Sequence, residues 1–357
     1  MSSMKILAIN PGSTSTKVAV SLDKEIIKEK SIPHSPREIS SFKSILEQCP
    51  FRKRLILGFF DESNISLDSL NGIVARGGFL KPVLCGTYRV NEIMCHDLRN
   101  SSKEHASNLG ALIAKDLADS RGIPAFIVDP IAVDEMTDMA KISGLQGVER
   151  KSLFHALNQK AVARKIAEKH RRQYEELNLI VAHLGGGITV GAHQKGRVID
   201  VNNGVDGDGP FSPERTGGLP VESIVEMCFE SGLSKKEVYQ KIKGRGGLVS
   251  YLETNDARVV EALIKQGNRK AFFIFEAMAY QIAKEIGGCA AVLKGKVDFI
   301  VLTGGLAYSK LLVDWIRERI NFIAPVEVSP GENELEALTD GAYRVLNGLE
   351  KAKEYGE

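Results

Sequence analysis

Three glycine-containing segments hold the residues best suited to chemistry. The first, Asn10-Pro11-Gly12-Ser13-Thr14-Ser15-Thr16-Lys17, combines hydroxyls, backbone amides and a terminal cation, the donors that phosphate oxygens require. It lacks the spacing and the following helix of a Walker A loop. The residues after it alternate as a strand, so it reads as a phosphate-clasping hairpin or, taken alone, as an ordinary hairpin turn. The second, His183-Leu184-Gly185-Gly186-Gly187-Ile188-Thr189, has three successive residues without a Cβ, so a ligand can approach the backbone closely. A flexible turn is the alternative. The third, Thr303-Gly304-Gly305-Leu306-Ala307, follows an apolar strand and precedes a helix expected from Ser309. Ligands often bind at such a place in α/β folds, and tight strand-to-helix turns have the same composition.

The elements that must position these segments alternate between strand and helix patterns. Lys5–Ile9, Val18–Leu22 and Glu25–Glu29 read as strands, and Leu109, Leu112, Ile113 and Leu117 share one helix face. Gly122-Ile123-Pro124 ends that helix, and Ala125–Val128 is a strand running into Asp129. The pattern restarts near residue 151. Leu153–Ala167 is expected to be helical, Asn178–His183 a strand, and Ile188–Ala192 and Val198–Val201 paired strands with a turn at Gln194-Lys195-Gly196. Ala271–Val292 reads as a long helix, apolar over much of its circumference and therefore buried in a core or against another subunit. Phe299–Leu302 is a strand and Leu335–Leu349 a final helix. Leu7–Val20 and Ile180–Ala192 share the order strand, glycine loop, strand, which predicts two related domains with one nucleotide between them.

Composition narrows the classes. The chain has 357 residues, 43% of them hydrophobic and 26% charged, enough for two ordinary globular domains. A net charge of +2 does not argue for nucleic acid. The basic run Lys169-His170-Arg171-Arg172 is short and follows a helix pattern, so it reads as a solvated helix end. Met1-Ser2-Ser3-Met4-Lys5 carries no apolar targeting core, and no stretch reaches the roughly 18 apolar residues of a membrane span. Five cysteines without a C-x-x-C pair argue against a zinc site or a disulfide framework. These features lead to the expectation of a cytoplasmic protein with neither a membrane nor a nucleic-acid partner.

Taken together, the three loops resemble those of the superfamily of acetate and sugar kinases, heat-shock chaperones and actin. Within it, the resemblance to acetate and butyrate kinases, the acetokinase family, extends over the whole chain. The first loop is similar to the family's N-x-G-S-x-S-x-K pattern and the second to its H-x-G-x-G-x-[ST] pattern. Asn255-Asp256-Ala257-Arg258 resembles its adenine-side acid and arginine. Phe211-Ser212-Pro213-Glu214-Arg215-Thr216-Gly217-Gly218 resembles the butyrate-kinase form of its arginine loop.

The resemblance implies an α/β fold of two related actin-like (ribonuclease H-like) domains around a nucleotide cleft. Residues 1–150 plus 334–357 would form the substrate and phosphoryl side, and residues 151–333 the nucleotide side. The implied reaction is reversible, in-line transfer from ATP to a short-chain carboxylate, giving ADP and an acyl phosphate with Mg²⁺ as cofactor. Arg76, Asp129, His155 and Arg215 fall on the family's catalytic positions. Asn10, Ser13, Ser15, Lys17, His183, Gly186 and Gly187 fall on phosphate-binding positions, and Asp256, Arg258, Gly304 and Gly305 on adenosine-binding ones. Asp129 and Glu334 fall on the magnesium-side carboxylates, with Glu332 the alternative to Glu334. Each residue also has a structural reading: an ion pair for Arg76, an exposed loop charge for Arg215, a helix cap or turn for Asp129, a buried helix histidine for His155, and helix-start acids for Glu332 and Glu334. The chemistry favours paired arginines. A carboxylate approaching a phosphate is repelled by roughly 4 kcal/mol per pair of unit charges at 4 Å and an effective dielectric near 20, and cationic forks offset this.

The chain departs from typical acetate kinases in having Gly186 for an asparagine and Gln159 for a second histidine four residues after His155, and in being shorter. These departures fit the butyrate branch, with butyrate or isobutyrate as substrate. Acetate or propionate, or a sugar hydroxyl phosphorylated on the same fold, is the alternative, and a non-catalytic ATPase is a further class. The family resemblance and the apolar helix imply a homodimer or an assembly of dimers.

Overall fold

The computed structural model describes residues 3–356, so Met1 and Ser2 of the targeting argument and Glu357 lie outside the described residues. The chain divides into two units. One runs to Val133 and resumes at Asn333; the other is Asp134–Glu332. Residues 134–150 therefore belong to the second unit, not with residues 1–133. Local bonds tie them there: the Thr137 amide donates to the Ile199 carbonyl at 3.0 Å, and Arg150 pairs with Asp200 at 2.9 Å.

The first unit is built on β1 (Lys5–Pro11), β2 (Ser15–Leu22), β3 (Glu25–Pro33), β4 (Gly72–Arg76), β5 (Thr87–Arg89) and β6 (Ala125–Val128), ordered β3-β2-β1-β4-β6-β5. The first three strands form an antiparallel meander, and β4 and β6 extend it in parallel from β1. Ile6, Leu7, Ala8 and Ile9 are all fully buried, as a central strand covered on both faces requires. The helix Asn108–Asp119 packs on β4, β6 and β1. The last helix, Glu334–Leu346, returns to the same three strands. It ends before the expected Leu349 because Gly348 turns the chain at φ +70°.

The second unit repeats the plan with β7 (Asn178–Leu184), β8 (Ile188–Gln194), β9 (Arg197–Val201), β10 (Phe299–Gly304) and β11 (Val326–Pro330), ordered β11-β10-β7-β8-β9. Here β7, β8 and β9 are the antiparallel meander, and β10 and β11 are the parallel extension. The match of β3-β2-β1-β4-β6 with β9-β8-β7-β10-β11, in order and in sense, gives the internal likeness read from the sequence a topological basis.

Helix Arg269–Val292 lies against β8 and β7. Its core face runs through Phe275, Met278, Ile282 and Ile286, spaced three or four apart, with Ile274 beside them. Phe272, Phe273 and Tyr280 are exposed on the same helix. The helix expected at Leu153 begins only at Ala156, because the Leu153 carbonyl is held by the Gly204 amide at 3.1 Å. The basic run after that helix is ion-paired rather than simply solvated: Lys169 and His170 meet Glu327, and Arg172 meets Asp298. Among the described residues no helix is long and apolar enough to cross a membrane.

Candidate active site

In the first unit the register of two parallel strands builds the site. Ile9 pairs with Ala75, so the next residues, Asn10 on β1 and Arg76 on β4, emerge side by side. Glu334, the first residue of the last helix, meets both. Arg76 Nη1 lies 2.6 Å from Glu334 Oε1, and Asn10 Nδ2 donates to Glu334 Oε2. Asn10 is 4% exposed, and its Oδ1 is a buried acceptor without a donor. A buried amide oxygen beside a carboxylate is a set of hard oxygen donors, which suits Mg²⁺ or a water bound to it.

The first glycine loop is a strand-turn-strand in which only Gly12, Ser13 and Thr14 lie outside β1 and β2, and the Gly12 amide closes on the Ser15 carbonyl at 2.8 Å. Ser13 and Lys17 are exposed, and Ser15 is half-buried. Behind the hairpin stands Arg52, fully buried, donating to the Ser15 carbonyl at 3.1 Å, to Thr16 Oγ1 at 2.9 Å and twice to Gln48 Oε1. Sequence reasoning missed this residue, since an arginine in a helix pattern reads as surface. Asp129 directly follows β6 at φ +37° and is 1% exposed. Its Oδ1 accepts from the Gly86 amide at 2.7 Å, while its own amide donates to the Gly86 carbonyl at 3.1 Å. One of its carboxylate oxygens is thus committed to backbone.

In the second unit, β7 and β8 carry the second glycine loop, with His183 at its start and Thr189 at its end. His155 stands at the N-cap position of the helix that follows, and its ring stacks on that of His183 with centroids 3.8 Å apart and planes 11° from parallel. His183 is 2% exposed; its Nδ1–H donates to Asn158 Oδ1 at 2.7 Å, because Asn158 Nδ2 is spent on the Glu332 carbonyl. The arginine loop is stitched to the glycine loop: Ser212 Oγ donates to the Gly186 carbonyl at 2.6 Å and accepts from the Arg215 amide. The Arg215 guanidinium donates to the Gly204 carbonyl and occupies the space where a Gly187 side chain would stand. Burial pulls its pKa below the ordinary arginine value, opposed by Glu214 and Asp206.

A pocket of about 690 Å³ opens beside these loops, lined by Gly186, Glu214, Asp256, Arg258, Gly305 and Glu332 among others. Gly305 has no heavy atom within 4 Å of where a Cβ would be, and Gly186 only Glu214, so any side chain there would enter the pocket. This open cradle of mixed polar and apolar surface fits a nucleotide. Asp256 caps the helix Ala257–Lys265 and chelates Arg258, whose guanidinium holds the carboxyl down to about 2. Gly304 does not line the pocket. Its φ of +87° and the Leu184 carbonyl carbon 2.8 Å from a built Cβ give it a structural reason to be glycine. The two candidate carboxylates separate here: Glu332 lines this pocket, whereas Glu334 belongs to the first unit. Among the described residues no group of three or more His, Cys, Asp or Glu side chains could hold a metal by itself.

Comparison with known proteins completes the picture. The fold is that of acetate kinase from Porphyromonas gingivalis, with a TM-score of 0.79 at 18% identity over 95% of this chain and 99% of that one. A propionate kinase from Francisella tularensis gives 0.75 at 17% identity, over 94% and 98%. Acetate kinase from Entamoeba histolytica gives 0.73 at 18% identity, again over 94% and 98%. These likenesses establish the actin-like α/β fold of the acetate and sugar kinases. The sequence model of the acetokinase family matches residues 141–326, just over half of the chain. The protein belongs to the acetokinase family.

Proposed function

We propose that this protein transfers the γ-phosphoryl group of ATP reversibly to a short-chain carboxylate, forming an acyl phosphate and ADP. The observation that carries the reading is Arg76, brought beside Asn10 and Glu334 at the ends of parallel strands in a chain of this family. The first unit is assigned the carboxylate and phosphoryl side. Arg76 meets the planar carboxylate and the charge that spreads over the phosphoryl oxygens, and the Ser13–Lys17 hairpin supplies further donors. The second unit is assigned the nucleotide: Gly186, Gly187, Gly305, Asp256 and Arg258 receive it, while Arg215, His155 and His183 serve the phosphates. Glu334 and Asn10 would hold magnesium, and Asp129, with one oxygen on Gly86, takes the lesser share. When bound, magnesium supplies neutralising charge to the phosphates.

The acyl chain is assigned to acetate or propionate ahead of butyrate and isobutyrate. Solved proteins of the same fold named acetate kinase and propionate kinase support the shorter acids. Gly186 and Gln159 are the features on the side of the longer ones. The exposed Phe272, Phe273 and Tyr280 of one helix support a homodimer. A hydroxamate trap with ATP and Mg²⁺, run on acetate, propionate, butyrate, isobutyrate and glycerol, tests the activity. Acyl hydroxamate from the two- and three-carbon acids is the expected result. A stronger signal from the four-carbon acids would move the specificity, and ADP release with glycerol but no hydroxamate from any acid would reject the carboxylate.

A further inference from the structure

A buried hydrogen-bond chain in the second unit runs from Tyr174 to His155. Tyr174, His193, Gln159 and Thr189 are all at most 4% exposed. Tyr174 Oη lies 2.7 Å from His193 Nδ1, and His193 Nε2 lies 3.0 Å from Gln159 Oε1. Gln159 Nε2 contacts both the Thr189 carbonyl, at 3.0 Å, and Thr189 Oγ1, at 2.9 Å. Thr189 Oγ1 lies 2.9 Å from His155 Nδ1. Gly191 makes room for this amide, since a Cβ there would come 2.6 Å from Gln159 Oε1.

One group sets the direction of every bond from Tyr174 as far as Thr189. The Thr189 carbonyl can only accept, so the NH₂ of Gln159 must face it and the amide cannot be flipped. Gln159 Oε1 then faces His193 Nε2 as an acceptor, which places the proton of His193 on Nε2. His193 is buried among Lys160 and Arg164 and is held neutral, so its Nδ1 accepts from the Tyr174 hydroxyl. At the other end, Thr189 Oγ1 accepts from Gln159 and keeps one proton, which it gives to a neighbouring ring nitrogen that carries none. Its neighbour in line is His155 Nδ1.

We infer that Gln159 and Thr189 are positioning residues that fix His155 as the neutral tautomer with its proton on Nε2, a hydrogen-bond donor for the transferred phosphoryl group rather than a base. The stacked partner is set the opposite way: Asn158 Oδ1 keeps the proton of His183 on Nδ1. On this inference two rings 3.8 Å apart carry their protons on different nitrogens, that of His183 set directly by the Asn158 amide and that of His155 through the Thr189 hydroxyl. Donation to a phosphoryl group rests on the carboxylate-kinase reading above; the tautomer does not.

The test is nitrogen NMR of the intact protein labelled with ¹⁵N-histidine, without nucleotide, with His155 assigned by loss of its signals in His155→Gln. His155 and His193 are expected as Nε2–H forms. Thr189→Val should give a mixture of tautomers at His155 and lower kcat between about 10-fold and 100-fold with little change in KM for ATP. Thr189→Ser, which keeps the hydroxyl, should restore both, and separates this role from packing. A proton found on Nδ1 of His155, or a His155 tautomer unmoved in a folded Thr189→Val variant, overturns the inference. If the tautomers are as stated but His155→Gln turns over at the normal rate, the positioning role is overturned and the assignment of His155 to the phosphoryl group falls with it.

Discussion

The Arg76 guanidinium rests 2.6 Å from the Glu334 carboxylate, so a cation assigned to the substrate and an acid assigned to magnesium neutralise each other in the free protein. Glu334 is only 12% exposed at its side chain and is also held by Asn10. The pair keeps both groups at the ends of β1 and β4 before any ligand arrives. Replacing Arg76 leaves the Glu334 charge without its partner as well as removing the fork. Arg76→Ala is expected to lower turnover about 10³-fold or more, on the scale of an arginine finger. Arg76→Lys should recover little of it, because an ammonium cannot bind planar oxygens in pairs. A loss below tenfold in a variant with wild-type circular dichroism would remove Arg76 from the reaction.

Gly187 and Arg215 share one small volume. A methyl group at position 187 would collide with the guanidinium, the mobile end of a long side chain, and not with backbone. Gly187→Ala should therefore displace Arg215 from the Gly204 carbonyl at little cost to the fold. The expected outcome is a melting temperature within a few degrees of the parent with a kcat reduced tenfold or more. An unchanged kcat would show that the placement of Arg215 over this loop is not needed.

Gly304 and Gly305 are adjacent but answer to different constraints. Gly304→Ala forces a side chain onto the Leu184 backbone at a positive φ, and should cost about 2 kcal/mol or more in urea unfolding. Gly305→Ala meets nothing, and should leave stability within about 0.5 kcal/mol while weakening ADP binding measured by calorimetry. Equal destabilisation by the two would contradict the packing described for this turn.

Burial pushes the pKa of His193 well below its ordinary 6.5, and that of His34 in the same direction, with burial first and Arg52 second. Below pH 6.5 the unfolded chain takes up protons at these positions that the folded chain refuses. Their contribution to stability is complete above pH 6.5 and is lost as the pH falls toward the folded values, by up to about 1.4 kcal/mol per unit for each group. The carboxyl of Asp256, held at about 2, and other depressed acids act only at lower pH. The urea midpoint should fall between pH 6.5 and 5.5, and less steeply in His193→Gln. A midpoint constant across that range would refute the burial of neutral histidine.

The sequence alone determined the candidate positions for chemistry, because the requirements there are local. Hydroxyls around Gly12, the triple glycine after His183 and the glycine pair after Phe299–Leu302 each announce backbone that a ligand can reach, and the period-two runs beside them announce strands. What these residues touch was decided only by the tertiary structure, because it depends on pairings between distant segments. The parallel register of β1 with β4 makes neighbours of Asn10 and Arg76. The boundary at Asn333, where the backbone passes through φ +44°, sends Glu332 and Glu334 to different units although they are two residues apart. Arg52 reads as an exposed helix charge, yet it is fully buried because the Ser15 carbonyl, Thr16 and Gln48 absorb its donors. Gln159 reads as a missing histidine, yet its amide takes its orientation from the Thr189 carbonyl on another element. A carbonyl that can only accept sets the direction of a hydrogen-bond chain, and which carbonyl faces which side chain is decided when strands and helices pack.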